Sequence, residues 1–227
     1  MSVQPSLALR RSFPFRRRNF VISPGNAEAV RAIDGWRGWH AGCLALVGPE
    51  GAGKTHLARA WAGEAHAEVI CREASAKLDL ATLEGRPVLF EDADRAGEDE
   101  LLFHLINMAG ADGGALLLTA RTPPSAWAAN LPDLRSRLNA LTVAELPPPD
   151  DIILEGVLRK LFRERNIEPN DELITYLVKR IERSGPAARD IVEKLDAASS
   201  ESEHRHVTRA LARQFLEIDE ETPDLFE

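Results

Sequence analysis

Cysteine is scarce in this 227-residue chain: Cys43 and Cys71 are the only two. That excludes a disulfide framework and a zinc site built from cysteines. No apolar run approaches the ~18 residues that a membrane span needs, so a transmembrane reading is excluded. Positive charge is also in the minority, 28 Lys+Arg against 36 Asp+Glu for a net charge of −8. Broad, charge-driven DNA binding is therefore not expected. What remains, 44% apolar and 28% charged residues, is the composition of a folded, soluble, cytoplasmic protein with one large domain or two small ones.

The charge is unevenly placed. Residues 1–22 hold five arginines (Arg10, Arg11, Arg16, Arg17, Arg18) and no acid, whereas residues 217–227 hold six acids and no base, leaving −7 for the middle. Both ends read as tails. Arg10-Arg11-Ser12-Phe13 resembles a twin-arginine export signal, but Arg16-Arg17-Arg18 follows where an apolar region is required. Pro14 breaks the helix that a transit peptide would need. The cytoplasm is the expected location.

Between residues 41 and 146, short apolar runs alternate with helical patterns, which predicts a parallel sheet with crossover helices. The predicted strands are Cys43–Val47, Glu68–Cys71, Pro87–Glu91, Ala115–Thr119 and Leu141–Leu146, with helices at Lys54–Ala65 and Glu98–Ala109. Pro147-Pro148-Pro149 ends this pattern, because three prolines extend neither strand nor helix. Apolar stripes at helical spacing then predict helices at Asp150–Arg165, Asp171–Arg183, Pro186–Ala198 and Val207–Leu216. The expected division is a tail (1–22), an α/β domain (23–148), a small helical domain (149–216) and an acidic tail (217–227).

Gly48-Pro49-Glu50-Gly51-Ala52-Gly53-Lys54-Thr55 matches G-x-x-x-x-G-K-[ST] between a predicted strand and a predicted helix. Glycines let the backbone N–H groups curl toward phosphate oxygens, and the helix start adds its positive dipole end. Lys54 is placed to reach the β- and γ-phosphates and Thr55 to ligate Mg²⁺. The competing reading is a glycine-rich turn with a chance lysine. Downstream, Pro87-Val88-Leu89-Phe90-Glu91-Asp92-Ala93-Asp94 brings carboxylates to a strand end, where ligands of open α/β sheets bind. Asp92 is the candidate for holding the metal, and Glu91 or Asp92 for polarising an attacking water. A solvated acidic turn is the alternative.

Loop, acidic strand end and helical C-terminal unit together resemble an AAA+ ATPase, a P-loop α/β module with a five-stranded parallel sheet followed by a small all-helical lid. Gly-Lys-Thr-His-Leu at 53–57 resembles the initiator clade that includes the replication initiator DnaA. Leu134-Arg135-Ser136-Arg137-Leu138, followed by Thr142-Val143-Ala144-Glu145-Leu146-Pro147-Pro148, is similar to that clade's arginine-finger box. The resemblance makes Arg137 a finger acting in trans at a subunit boundary. Ala187-Ala188-Arg189-Asp190 resembles the sensor 2 helix, making Arg189 a phosphate contact from the lid. It also implies ADP or ATP with Mg²⁺ held by Gly48, Pro49, Gly51, Ala52, Gly53, Lys54, Thr55 and His56.

DnaA carries an N-terminal partner-binding domain and a C-terminal DNA-binding domain, and neither is expected here. That shortened architecture is similar to the Hda family of DnaA-homologous regulators. Trp36-Arg37-Gly38-Trp39 and Thr119-Ala120-Arg121-Thr122-Pro123-Pro124 look like its alphaproteobacterial group. Hda proteins carry a short peptide that docks on the DNA polymerase sliding clamp. Gln4-Pro5-Ser6-Leu7-Ala8-Leu9 fits Q-x-x-L-x-L, with Gln4, Leu7 and Leu9 as anchors for a preformed groove and Pro5 in place of the usual leucine. The implied partners are the clamp, DnaA and further copies through the AAA+ interface, with DNA met mainly through the clamp. Arg10–Arg18 is either a phosphate-seeking linker or simply solvated.

Some positions depart from the family. Glu91 stands where the first acidic-motif Asp is usual, and Ala120 occupies a sensor 1 strand end without a polar side chain. Tight nucleotide binding with feeble intrinsic hydrolysis is therefore expected, together with promotion of hydrolysis of DnaA-bound ATP. His56 either touches phosphate or belongs to the helix face. His104, Cys43, Trp36, Trp39 and Trp61 read as packing residues. A helicase-loader-like ATPase that binds single-stranded DNA and a replicative helicase is the alternative function, and a P-loop small-molecule kinase a third.

Overall fold

The computed structural model describes residues 15–70, 79–95, 99–111, 113–200 and 207–220. Five strands, β1 (Cys43–Val47), β2 (Glu68–Ile70), β3 (Pro87–Phe90), β4 (Ala115–Ala120) and β5 (Thr142–Glu145), form one parallel sheet in the order β2-β3-β4-β1-β5. β1 and β4 are buried along their whole length, as expected of central strands covered on both faces. The five predicted strands are all present, with ends shifted by a residue or so. Glu91 falls in the turn after β3 rather than inside it, and Cys71 lies outside the described residues.

Period-two alternation divides the strand side chains between two cores. Ala45, Val47, Phe90, Leu116 and Leu118 pack with Leu102, Leu105 and Ile106 of α3 (Asp99–Met108) and Leu134 and Leu138 of α4 (Pro132–Ala140). On the opposite face, Leu44, Leu46, Leu89 and Leu117 meet α1 (Ala27–Asp34) and α2 (Lys54–Ala65). α1 has no counterpart in the sequence reading. Its buried Ala29, Val30 and Ile33 are too few over eight residues to stand out as a period.

Beyond the prolines lie α5 (Asp151–Arg163), α6 (Asp171–Val178), α7 (Gly185–Ser200) and α8 (Arg209–Glu220), joined around a third core that includes Leu158, Phe162, Leu177, Val192 and Leu195. Asp150 and Asn170 cap α5 and α6, each accepting an N–H bond at 2.8 Å from Ile153 and Leu173, the interaction that fixes a helix start. The four predicted lid helices are present. α6 stops at Val178, five residues short of the expected Arg183, and a capping turn at 184 starts α7.

The expected tail boundary at residue 22 does not match the packing. Residues 15–22 lie against the body: Arg17 pairs with Asp34 at 2.8 Å, and the side chain of Val21 sits where a Cβ on Gly156 would meet it at 2.9 Å. Ser23 Oγ donates to Asp150 Oδ2 at 2.5 Å, tying this segment to the start of the lid. Residues 1–14, with the anchors Gln4, Leu7 and Leu9, and the last residues of the acidic tail, 221–227, lie outside the described residues. Among the described residues, no helix is long and apolar enough to cross a membrane.

Candidate nucleotide site

The phosphate loop joins the buried end of β1 to α2. Gly53 closes the loop with φ +99°, in the left-handed region that suits glycine. Gly48 is required for packing, since a Cβ there would sit 2.1 Å from the Leu146 carbonyl oxygen. On its outer side the loop touches the lid: Gly185 N–H donates to Gly51 O at 3.2 Å, and a Cβ on Gly51 would meet Ser184 Cβ at 2.5 Å. The first-turn amides of α2 have no partner inside the helix and so face the adjoining cavity as anion donors.

That cavity, of about 580 Å³, lies between the loop, the lid and residues 15–21. Of the residues singled out from sequence, Gly51, Ala52, Gly53, Lys54, Thr55, His56, Asp92 and Arg189 line it together. Gly48 and Pro49 contribute carbonyls instead, accepting from Lys54 Nζ at 2.6 and 2.8 Å. The Lys54 ammonium is buried, and two of its three protons are spent on these carbonyls, leaving one for a phosphate oxygen. Burial pushes its pKa down, opposed chiefly by Asp92.

Asp92 stands at φ +53°, a conformation that Asp tolerates better than most residues. Its N–H donates to Thr119 Oγ1 at 3.1 Å, so the buried Thr119 of β4 sets the acidic turn. Thr55 and Asp92 supply a hydroxyl and a carboxylate, hard oxygen donors of the type Mg²⁺ takes alongside phosphates and water. Among the described residues no group of three His, Cys, Asp or Glu could hold a metal ion. Glu91 is placed otherwise. It lies outside the cavity lining, and its carboxylate is bound by Arg59 at 2.6 Å.

Arg121, at the end of β4, does line the cavity and bridges to Glu50 of the loop at 2.6 Å. Arg137 is exposed on α4, outside the lining, its guanidinium 5.1 Å from the centroid of Phe103. His56 is packed edge-on against both Phe15 and Phe20 at 5.6 Å. Its pKa is lowered by burial first, against a carbonyl contact from Arg16, with Lys160 and Arg189 adding to the lowering. The two rings thus hold His56 in place at the cavity wall.

Sequence reasoning missed the far end of the cavity, where Phe20, Val21, Ile153, Val157 and Lys160 stand. The apolar run Phe20-Val21-Ile22 after the arginines was the available signal. Ile153 and Val157 belong to the apolar stripe that predicts a helix at Asp150–Arg165, and that stripe carries no sign of the cavity.

Comparison with known proteins places this geometry. Over 220 residues the chain is 29% identical to the replication initiator DnaA of Caulobacter vibrioides, covering 82% of this chain and 45% of that protein. Domain III of Thermotoga maritima DnaA superposes with a TM-score of 0.70 at 19% identity, covering 90% of this chain and 96% of that one. The chain is similar in sequence to DnaA and shares the AAA+ fold of DnaA domain III. It spans about half the length of the DnaA relatives it matches. An uncharacterised protein of Haemophilus influenzae is 30% identical over 187 residues, 76% of this chain and 80% of that protein. No family model matches the chain. The AMPPCP-bound DnaA of Aquifex aeolicus shares the fold at a TM-score of 0.66 and 18% identity, covering 91% of this chain and 69% of that one.

Proposed function

We propose that this chain binds ADP or ATP with Mg²⁺ in the cavity and regulates replication initiation in the manner of the Hda family. In this reading Arg137 enters the ATP site of a DnaA subunit and promotes hydrolysis there. The observation that carries it is the placement of Arg137: exposed on α4, stacked on Phe103 and away from its own chain's cavity. A guanidinium so placed is available to a second ATPase. In the partner's site it stabilises charge developing on the transferred phosphoryl group, an effect on the order of 10³–10⁵ in rate for GTPase fingers.

Within its own cavity, the loop amides and Lys54 bind the phosphates, Arg189 reaches them from the lid, and Thr55 and Asp92 hold the metal. Mg²⁺, when bound, neutralises charge on the β- and γ-phosphate oxygens. With Glu91 turned to Arg59 and Ala120 offering no polar atom, intrinsic hydrolysis is feeble. Gln4, Leu7 and Leu9 anchor the chain to the sliding clamp, which brings it to DNA indirectly. The protein works in the cytoplasm, and its AAA+ face also admits further copies of itself.

The test is hydrolysis of DnaA-bound ATP in the presence of DNA-loaded clamp. Arg137→Ala keeps nucleotide affinity and loses the stimulation. Deleting residues 1–9 removes clamp binding. Stimulation by Arg137→Ala at the wild-type level would refute the finger, and unchanged clamp affinity after the deletion would refute the tail assignment.

A further inference from the structure

We propose that residues 221–227 of this chain dock in a second cavity, enclosed by α6, α7 and α8, and hold those helices together. That cavity, of about 710 Å³, shares with the nucleotide cavity only Asp190 of α7, which lines both. A segment seated there therefore also bears on the helix that carries Arg189 to the first cavity.

The second cavity is built around the buried Tyr176. The Arg180 guanidinium lies 4.1 Å from its ring centroid and that of Arg209 5.1 Å, cation–π contacts that gather both charges at one ring. Arg213, one turn along α8 from Arg209, lines the same wall. A guanidinium has five N–H donors, so one that rests on a ring still has donors for a carboxylate. Arg209 also bonds Glu172 at 2.7 Å, with side chains 53% and 64% exposed, and a pair so open to water contributes little.

Ile181, Ile191 and Leu216 supply the apolar part of the wall. Three guanidiniums set among aliphatic side chains suit an acidic peptide that carries apolar residues of its own. A nucleic-acid backbone suits them less. Its charge recurs at every nucleotide and meets repulsion from Glu182 and Asp190 on the same wall, which spaced carboxylates avoid.

Residues 221–227 are such a peptide: Glu-Thr-Pro-Asp-Leu-Phe-Glu, three acids and no base around Leu225 and Phe226. They also start in the right place. Arg209, Arg213 and Leu216 fall on one face of α8, and the helix runs to Glu220, about one turn past Leu216. A chain that doubles back from Glu220 covers about 10 Å to draw level with Arg213, and seven residues reach up to about 23 Å. Pro223 turns Thr222 away from helical backbone, which favours leaving the α8 axis. Attachment to α8 gives the segment an effective concentration on the order of millimolar at the cavity, so individually weak contacts suffice.

The experiment is measurement of amide order parameters by NMR on the full ¹⁵N-labelled chain. In wild type Asp224 and Leu225 lie close to the rigid-backbone value of about 0.85, and in Arg180→Glu they fall below about 0.6. Combined Glu221→Gln, Asp224→Asn and Glu227→Gln substitutions give the same loss. They leave every cavity residue in place, so they decide the matter should Arg180→Glu fail to fold. A chain shortened to residues 1–220 binds a synthetic peptide of residues 221–227 at least about tenfold more tightly than the full chain does, because in the full chain the cavity is already filled. Values below about 0.6 in wild type overturn the proposal, as does order that neither the Arg180→Glu nor the combined variant disturbs. Order that appears only with a dimer in sedimentation assigns the cavity to the same segment of a second copy and overturns docking within one chain.

Discussion

Arg59 of α2 grips the Glu91 carboxylate through Nε at 2.9 Å and Nη2 at 2.6 Å, both on Oε2. The same guanidinium lies 5.4 Å from the centroid of Phe15, so the acid is drawn toward α2 and the N-terminal segment. The two adjacent acids of one turn therefore face different surroundings: Asp92 lines the cavity, while Glu91 is spent on an ion pair with its side chain 12% exposed.

This division predicts unequal variants. Asp92→Asn weakens the Mg²⁺-dependent part of nucleotide binding, read as the change in affinity on adding chelator, by about tenfold. Glu91→Gln has a smaller effect on that difference. Its cost falls on stability, about 1 kcal/mol after allowing for the exposure of Arg59, or a Tm lower by about 2–4 °C. A larger loss of Mg²⁺ dependence in Glu91→Gln than in Asp92→Asn would reverse the assignment.

Gly51 is where the loop meets the lid. Its φ of +76° and the approach of Ser184 to 2.5 Å from a built Cβ leave no room for alanine. Gly51→Ala forces α7 and its Arg189 away from the phosphates. The expected outcome is destabilisation by about 2 kcal/mol with affinity for either nucleotide reduced about tenfold, seen together in thermal melts and titrations. Wild-type affinity in a folded Gly51→Ala protein would show that the lid contact is dispensable.

His56 predicts a pH dependence with a definite sign. Its pKa is depressed below its ordinary 6.5, by burial first and then by Lys160 and Arg189, against the Arg16 carbonyl. Depression means that the unfolded chain binds the proton more readily. The stabilisation is complete above the unfolded value of about 6.5 and is lost as pH falls through the lower folded value. Melting temperature between pH 7.5 and 5 therefore falls more steeply in wild type than in His56→Gln. Parallel curves would place the acid sensitivity elsewhere.

Much of this fold is legible in the order of residues, for local reasons. The loop at 48–55 announces itself because its glycines, lysine and threonine act within one turn, and the strands because two-sided burial needs continuous apolar runs. Arg189, singled out by the resemblance of its helix to sensor 2, lines the cavity. The Glu91 and Arg121 pairings escaped notice for the opposite reason. Arg59 is 32 positions from Glu91, and no periodicity reports which surface acid a distant arginine will choose.

The sequence by itself determined the parallel sheet, the phosphate loop, the break at Pro147–Pro149 and the helical lid, because each follows from backbone preference or burial over a few consecutive residues. Only the tertiary structure decided how the site is closed. It folded residues 15–21 over one end of the cavity, set Gly51 against Ser184, turned Glu91 to Arg59 and joined Glu50 to Arg121. Those contacts join segments far apart in the chain, and their partners are fixed by how the two domains and the N-terminal segment pack, information carried by shape and not by local pattern.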